Sequence, residues 1–279
     1  LDATQGLPYS SLDLFRENDE YKISSANTSR VYQMAYNYEN KDLQNKKVRQ
    51  AIAKAINKED FTKTLLNNNG TPAVGAFPSN FSFGNEAVTA DTFDLDEAKK
   101  LLKEAGYEDS DNDGYVDKDG KNLTLRWLTY PSRMELPLLA ESAQASLKEI
   151  GIKVDVNNTE NTQDYLNKGD YDIYASAFVT APTGDPQYYI TAHLVDGAAN
   201  NFGHYHNDEV EALTKELRNE FDTKKRSDLA VKIQQEVLND CGYTYASHLK
   251  MSFVMKKNIT GFEAHPSDFY EIKADTDIE

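Results

Sequence analysis

Cysteine and long apolar runs are the scarcest features of this sequence. Cys241 is the one cysteine among 279 residues. A single thiol excludes an intramolecular disulfide framework and a metal site built from several thiolates, and we expect Cys241 to be buried and inert. No stretch approaches the roughly 20 apolar residues that a membrane span needs.

The amino terminus lacks the features of an export signal. Residues 1–6 read LDATQG, without a basic segment or an apolar segment after it. We therefore expect any export signal to lie outside this chain, and we expect the chain to be a fragment of a longer protein.

Positive charge is also in short supply. Lysine and arginine total 30 against 46 acidic residues, which gives a formal net charge of -16. This charge repels polyanions, so the sequence predicts no nucleic-acid partner. The sequence also lacks the G-x-S-x-G, H-E-x-x-H, Walker A and dinucleotide-binding patterns, which favours a protein that is not an enzyme.

The patterns that are present predict an α/β fold. Strand alternation at 123–127 precedes a helix at 132–149, and strand alternation returns at 152–156, which is a βαβ unit. Ser132 and Glu135 have the spacing of a capping box, and Gly151 is placed to end the helix. Further predicted elements are strands at 32–38, 171–179, 243–249 and 251–255, and helices within 45–67 and at 94–105, 208–221 and 223–240.

One block carries a specific resemblance. Residues 46–61, KKVRQAIAKAINKEDF, closely resemble the signature of the oligopeptide, dipeptide and nickel solute-binding proteins, which form family 5 of the extracytoplasmic solute-binding proteins. Five more segments follow in that family's order: 70–73, 94–106, 109–120, 147–154 and 184–186.

The resemblance implies one half of a two-lobed receptor. The expected fold is a periplasmic-binding-protein-like lobe, half of a type II venus flytrap, with a mixed β-sheet flanked by helices. Residues 30–250 would form the second ligand-binding lobe. Residues 1–29 and 251–279 would be flanks that normally pack on the amino-terminal lobe, which is expected to be missing from this chain.

The family also implies a function and a location. The chain would help an ABC importer capture a peptide or a nickel or cobalt metallophore chelate and deliver it to the permease subunits. It would act outside the cytoplasm, as a lipoprotein of a Gram-positive cell surface or in a periplasm. The alternative is a peptide (pheromone) sensor or a surface interaction module that reuses the fold.

Arg133 is the strongest individual candidate for ligand binding. It follows a predicted strand and opens a predicted helix, which is where α/β proteins place ligands, and its guanidinium can hold a carboxylate with two hydrogen bonds. An alternative role is a surface or interlobe salt bridge. The stretch from Thr129 to Pro137, which includes Tyr130, resembles the nickel and metallophore branch of the family.

A second candidate is the loop from Thr180 to Tyr189. The resemblance implies that peptide receptors use an aspartate here to hold the ligand's amino terminus, but the comparable position is Pro182, which cannot pair with an ammonium group. Candidate ligand contacts in this loop are Thr183, Asp185, Tyr188 and Tyr189. Asp185 could instead cap the following helix, and the tyrosines could fill the core.

Two further patterns concern metal ions. His204 and His206 would share one face if their segment is extended, but two ligands alone do not make a metal site, so a polar surface loop is the alternative. Aspartates spaced as in a calcium loop offer a structural calcium site, although Gly120 stands where an EF-hand has its bidentate glutamate. A solvated acidic turn is the alternative there. The aspartates of this pattern are Asp109, Asp111, Asp113 and Asp117.

Overall fold

The computed structural model describes residues 1–267 and 272–279. Its strands are β1 (Ala3–Gln5), β2 (Tyr21–Tyr36), β3 (Gly70–Pro72), β4 (Asp117–Lys118), β5 (Lys121–Asn122), β6 (Thr124–Thr129), β7 (Lys153–Asn158), β8 (Ile173–Val179), β9 (Tyr243–Lys256), β10 (Ile259–Thr260) and β11 (Asp277–Ile278). Its α-helices are α1 (Leu12–Arg16), α2 (Lys41–Gln44), α3 (Lys46–Lys54), α4 (Lys58–Asp60), α5 (Leu95–Glu104), α6 (Glu135–Glu149), α7 (Thr162–Lys168), α8 (Gln187–His193), α9 (Asp208–Asn219) and α10 (Thr223–Asn239). Short 3₁₀ turns at Tyr9–Ser11 and Asn85–Ala87 and a π-helical turn at Phe61–Leu65 complete the elements.

The main sheet is mixed, and helices flank it, as the sequence predicts. Its strand order is β1-β9-β2-β8-β6-β7, and β3 pairs with β9. The strand β6 runs parallel to both β7 and β8, whereas β2 pairs antiparallel with β8 and β9. No helix among the described residues is long and apolar enough to cross a membrane.

The predicted βαβ unit is confirmed, but its helix begins later than expected. The helix α6 starts at Glu135, with Met134 as its N-cap and no side-chain cap. The predicted capping box at Ser132 is therefore wrong, because residues 131–134 form a turn in which the Leu136 N–H donates to the Arg133 carbonyl at 3.0 Å. Gly151, with φ of 81°, ends the unit's helix as predicted.

The signature block folds into α3 and α4, and its arginine is a structural residue. Arg49 is 3% exposed and donates hydrogen bonds to the carbonyls of Leu43, Gln44, Asp240 and Cys241. It therefore ties the start of this block to the end of α10. Cys241 is buried as predicted, and burial raises the pKa of its thiol to about 12.

Strands β2 and β9 are longer than the sequence indicates. The strand β2 begins at Tyr21 rather than near Tyr32, and β9 runs unbroken to Lys256 where two strands were predicted. Residues 21–27 of β2 pair with 250–256 of β9, so polar, half-exposed residues continue the ladder beyond the core. The predicted lobe boundaries at 29/30 and 250/251 fall inside these strands, and the division itself stays a prediction.

Candidate functional site

The carboxyl end of β6 leads into the turn that holds Arg133. The strands β6 and β7 are parallel, and the turn at 131–134 joins β6 to α6 at this edge of the sheet. Arg133 is half-buried there. The structure thus puts Arg133 at the edge where α/β sheets bind ligands, as the sequence predicts.

Arg133 lines a small cavity that the sequence does not predict. The cavity measures about 50 Å³, and the two chain flanks form part of its wall through Tyr9, Met251 and Ser252. The Tyr9 hydroxyl donates to the Lys250 carbonyl at 3.4 Å, which links the first flank to β9 directly before the second flank. No local pattern in the sequence points to these residues, because their approach to Arg133 depends on the long pairing of β2 with β9.

The guanidinium of Arg133 is free to bind a ligand. Among the described residues, no side chain or carbonyl accepts a hydrogen bond from it. The nearby carboxylate of Glu135 accepts instead from the Tyr32 hydroxyl at 2.9 Å. Burial, and then the charge of Glu135, raises the pKa of Tyr32 well above its usual value, so this phenol stays a donor. A carboxylate-bearing solute would supply the partner that Arg133 lacks.

Tyr130 holds the two neighbouring strands together next to this turn. The strands β6 and β8 pair directly at Trp127 and Leu128. Beyond them, the Tyr130 hydroxyl accepts a hydrogen bond from the Ala177 N–H at 3.0 Å. This contact gives Tyr130 a structural role; its predicted contact with a ligand stays a prediction.

Asp185 has a structural role in the loop before α8. Its carboxylate forms an ion pair with Arg226 at 2.8 Å and accepts a hydrogen bond from the Gln187 N–H at 2.8 Å. The second contact gives the N–H of Gln187, the first residue of α8, a hydrogen-bond acceptor. This agrees with the alternative role of Asp185 as a cap of the following helix. Because the Asp185 carboxylate is paired with Arg226, it is not available to pair with the ammonium group of a ligand.

The two tyrosines of α8 differ in burial. Tyr189 is fully buried, and its hydroxyl donates to Gln33 at 2.6 Å and lies 3.0 Å from the Tyr245 hydroxyl. Tyr189 thus fills the core, which was one of the two alternatives. Tyr188 is 51% exposed and stacks on Phe178 with ring centroids 5.7 Å apart, so Tyr188 is accessible to a ligand.

Thr183 lines a second cavity, separate in its lining from the one at Arg133. This cavity measures about 530 Å³, and it includes Phe81, Pro182 and His265 in its wall. Thr183 is exposed in it and offers a hydroxyl group. The structure brings Thr183 and Arg133 into different cavities, and their joint role in one ligand site stays a prediction.

The predicted histidine pair is not held in an extended segment. His204 has φ of 61°, which is left-handed, and its imidazole faces Glu39 at 3.9 Å. His206 faces Asp196 at 3.0 Å and Asp208 at 3.2 Å. The condition under which both imidazoles would share one face is therefore not met, and the pair lies in a polar surface loop, which is the alternative given above. Metal binding by these histidines stays a prediction.

Three of the four aspartates of the acidic turn converge. Side-chain oxygens of Asp109, Asp111 and Asp113 lie within 4.8 Å of one another, and all three residues are exposed. Their carboxylates accept backbone N–H groups of the turn itself. Asp117 instead accepts from the N–H and hydroxyl of Ser110, and these contacts lower its pKa. Calcium binding stays a prediction.

A mixed sheet flanked by helices, with the parallel strands β6, β7 and β8 on one side of it, is the architecture of one lobe of a type II solute-binding fold. Residues 1–201 match the family described as bacterial extracellular solute-binding proteins, family 5 Middle. The chain therefore belongs to this family, as its signature block predicts.

Two curated relatives are named for different solutes. The chain is 28% identical over 252 residues to the oligopeptide-binding protein AppA of Bacillus subtilis, covering 88% of this chain and 46% of that relative. It is 25% identical over 280 residues to the nickel-binding protein NikA of Staphylococcus aureus, covering 100% of this chain and 54% of the relative. The chain thus spans about half the length of the curated relatives it matches.

Solved structures confirm the fold. The chain superposes on Staphylococcus aureus NikA in complex with Ni(L-His)2 with a TM-score of 0.86 at 23% identity, covering 100% of this chain and 57% of that one. It superposes on Bacillus subtilis AppA in complex with a nonapeptide with a TM-score of 0.85 at 24% identity, covering 96% of this chain and 54% of that one.

Proposed function

We propose that this chain forms one wall of the binding cleft of a substrate-binding component of an ABC importer. The solute is a carboxylate-bearing molecule, either a peptide or a nickel or cobalt metallophore chelate. The protein binds this solute without chemical change and delivers it to the permease subunits. It acts on the outer side of the cytoplasmic membrane, as a surface lipoprotein or in a periplasm.

The observation that carries this proposal is the free guanidinium of Arg133. A half-buried arginine without a carboxylate partner, at the ligand edge of an α/β sheet, favours an anionic ligand. The turn before α6 fixes the main chain at this residue, because the Leu136 N–H donates to the Arg133 carbonyl at 3.0 Å. Family membership and the names of the curated relatives support the importer role.

The loop before α8 favours the chelate over the peptide. Recognition of a peptide's amino terminus needs a free carboxylate, but Pro182 offers none and Asp185 is paired with Arg226. Within 180–186, Asp185 is the one acidic residue. A chelate that presents only carboxylates to the protein needs no such group, and Arg133 suffices as its anchor.

Native mass spectrometry of the protein from the cells that make it tests the nature of the solute. We expect a small molecule that carries nickel or cobalt. A ladder of peptide masses would overturn the preference for the chelate and leave the importer role in place. A protein that carries neither, and binds neither in titrations, would contradict the proposed function.

Substitution of Arg133 tests the site. We expect Arg133→Ala to weaken solute binding by about 1.5 to 3 kcal/mol, because a charged hydrogen bond is lost. Arg218→Ala is the matched control, since it removes the same charge from an exposed position on α9. Equal affinity in the Arg133 and Arg218 variants would remove Arg133 from the site.

A further inference from the structure

A cluster of metal-binding side chains lies around the start of α9. One ligand atom each from Asp196, His206 and Glu211 lies within 4.8 Å of the other two. None of the three residues lines the Arg133 cavity or the Thr183 cavity. The cluster is therefore distinct in its residues from the ligand site proposed above.

The backbone positions of these three residues are fixed by buried neighbours. Val195, Tyr205 and Val210, each next to one member of the cluster, are 5%, 1% and 0% exposed. The buried side chain of Asn201 donates to the carbonyls of Val195 and Tyr205 at 3.0 and 2.8 Å, which clamps the two ends of the loop together. The main chain therefore holds the three side chains near one another before any ion binds.

Within the part of the chain that the structure describes, no lysine or arginine compensates the charge of the cluster. No lysine or arginine among residues 1–267 and 272–279 forms an ion pair with Asp196, Asp208 or Glu211. Among the described residues, the exposed imidazole of His206 pairs with Asp196 and Asp208, and the Glu211 carboxylate accepts the Asp196 N–H at 2.5 Å. Like charges at this distance repel one another, and a bound cation removes that repulsion.

The two nitrogens of His206 have different partners. Nδ1 lies 3.0 Å from an oxygen of Asp196, and Nε2 lies 3.2 Å from an oxygen of Asp208. Metal-binding imidazoles commonly donate their second N–H to a carboxylate, which fixes the tautomer and makes the first nitrogen a better ligand. Asp208 is in position to accept that N–H while Nδ1 faces the cluster.

We propose that Asp196, His206 and Glu211 form a binding site for a divalent transition-metal ion such as Zn²⁺ or Ni²⁺. One imidazole nitrogen and two carboxylates are a ligand set used by zinc, and the exposed side leaves room for water as a further ligand. The imidazole favours Zn²⁺, Ni²⁺ or Cu²⁺ over Ca²⁺ and Mg²⁺. The site does not depend on the importer function or on a chelator.

Calorimetric titration of the 279-residue chain with ZnCl₂ tests the proposal. We expect saturable binding of one Zn²⁺ at this site, and His206→Ala should weaken it by about tenfold or more because one of three protein ligands is lost. His204→Ala is the matched control, since it removes an exposed imidazole that faces Glu39 instead. An excess of Ca²⁺ should not compete.

Two more variants keep the result interpretable. Glu211→Gln preserves the side-chain shape and should also weaken Zn²⁺ binding, and it decides the question if His206→Ala does not fold by circular dichroism. Asp111→Asn alters the acidic turn and should leave this binding unchanged. The proposal is overturned if the chain shows no saturable binding, if the His206 and Glu211 variants bind as the unaltered chain does, or if His204→Ala or Asp111→Asn weakens binding equally.

Discussion

Arg226 binds Asp185 through both carboxylate oxygens: its Nη2 lies 2.8 Å from each, and its Nε lies 3.0 Å from Oδ2. The same guanidinium donates to the carbonyls of Leu217 and Glu220 at 2.9 and 2.7 Å. One side chain at the start of α10 thereby fixes the loop before α8 and the end of α9.

Arg226→Met should therefore lower the free energy of unfolding by about 1 to 2 kcal/mol, because several charged hydrogen bonds are lost at a partly exposed site. Urea unfolding measures the change. Arg218→Met, at an exposed position of α9, is the control and should change stability by less than about 0.5 kcal/mol. A stability loss no larger than the control's would show that the Asp185 pair contributes nothing.

Arg49→Lys should be more damaging than its retained charge implies. A lysine amine cannot reach the carbonyls of Leu43, Gln44, Asp240 and Cys241 together, whereas the guanidinium does. We expect a loss of about 2 to 4 kcal/mol in the free energy of unfolding, because buried acceptors are left without donors. Lys47→Arg, at an exposed neighbouring position, should have little effect in the same denaturation experiment. Native-like stability of the Arg49 variant would contradict the structural role.

His193 should make stability fall in acid. Burial lowers the pKa of His193 to about 3, whereas an unfolded chain protonates its histidine near 6.5. Between these pH values the unfolded state binds more protons, so stability falls as pH falls, by at most about 1.4 kcal/mol per pH unit for this group.

Unfolding free energies of the unaltered chain and of His193→Phe, measured from pH 7 to pH 4, isolate this contribution. The unfolding free energy of the unaltered chain minus that of His193→Phe should fall steadily as the pH falls, because the phenyl ring cannot take up a proton. His204→Ala, at an exposed position, should run parallel to the unaltered chain. A pH-independent difference for His193→Phe would rule out the buried neutral imidazole.

Lys58 should affect stability in alkaline solution. Burial lowers the pKa of Lys58 to about 8, below the value of 10.5 for a free lysine, and its amine donates to the Ala73 carbonyl at 2.9 Å. From pH 8 to pH 10.5 the unfolded state binds more protons, so stability of the unaltered chain should rise relative to Lys58→Met. Lys63→Met, at an exposed position, should show no such rise. A flat difference across this window would contradict a lowered pKa.

The sequence predicts the parts of this fold that depend on neighbouring residues. Helix α5, whose N-cap is Asp94, lies where the pattern predicts a helix at 94–105, and Gly151 ends α6 as predicted; both depend on residues within a few positions. The βαβ unit follows from two strand patterns around one helix pattern. Local periodicity is sufficient for such elements.

The site depends on contacts between distant segments, which periodicity does not encode. Asp185 and Arg226 are 41 residues apart, and Tyr9 meets Lys250 across 241. The backbone at His204 is left-handed, so the two histidines lie in a loop and not on one face of an extended segment. His206 faces Asp196 and lies within 4.8 Å of Glu211, and no spacing rule joins these residues.

The register of β2 against β9 shifts between Asn27 and Val31 and again between Tyr32 and Gln33. Register shifts of this kind bend a strand and increase its twist, so they mark a bend in β2 between the part that pairs with 250–256 of β9 and the part that pairs with β8. Residues 250–252, which line the Arg133 cavity, pair with β2 on the amino-terminal side of the first shift, so the direction that β2 takes at this bend sets where that part of the cavity wall stands.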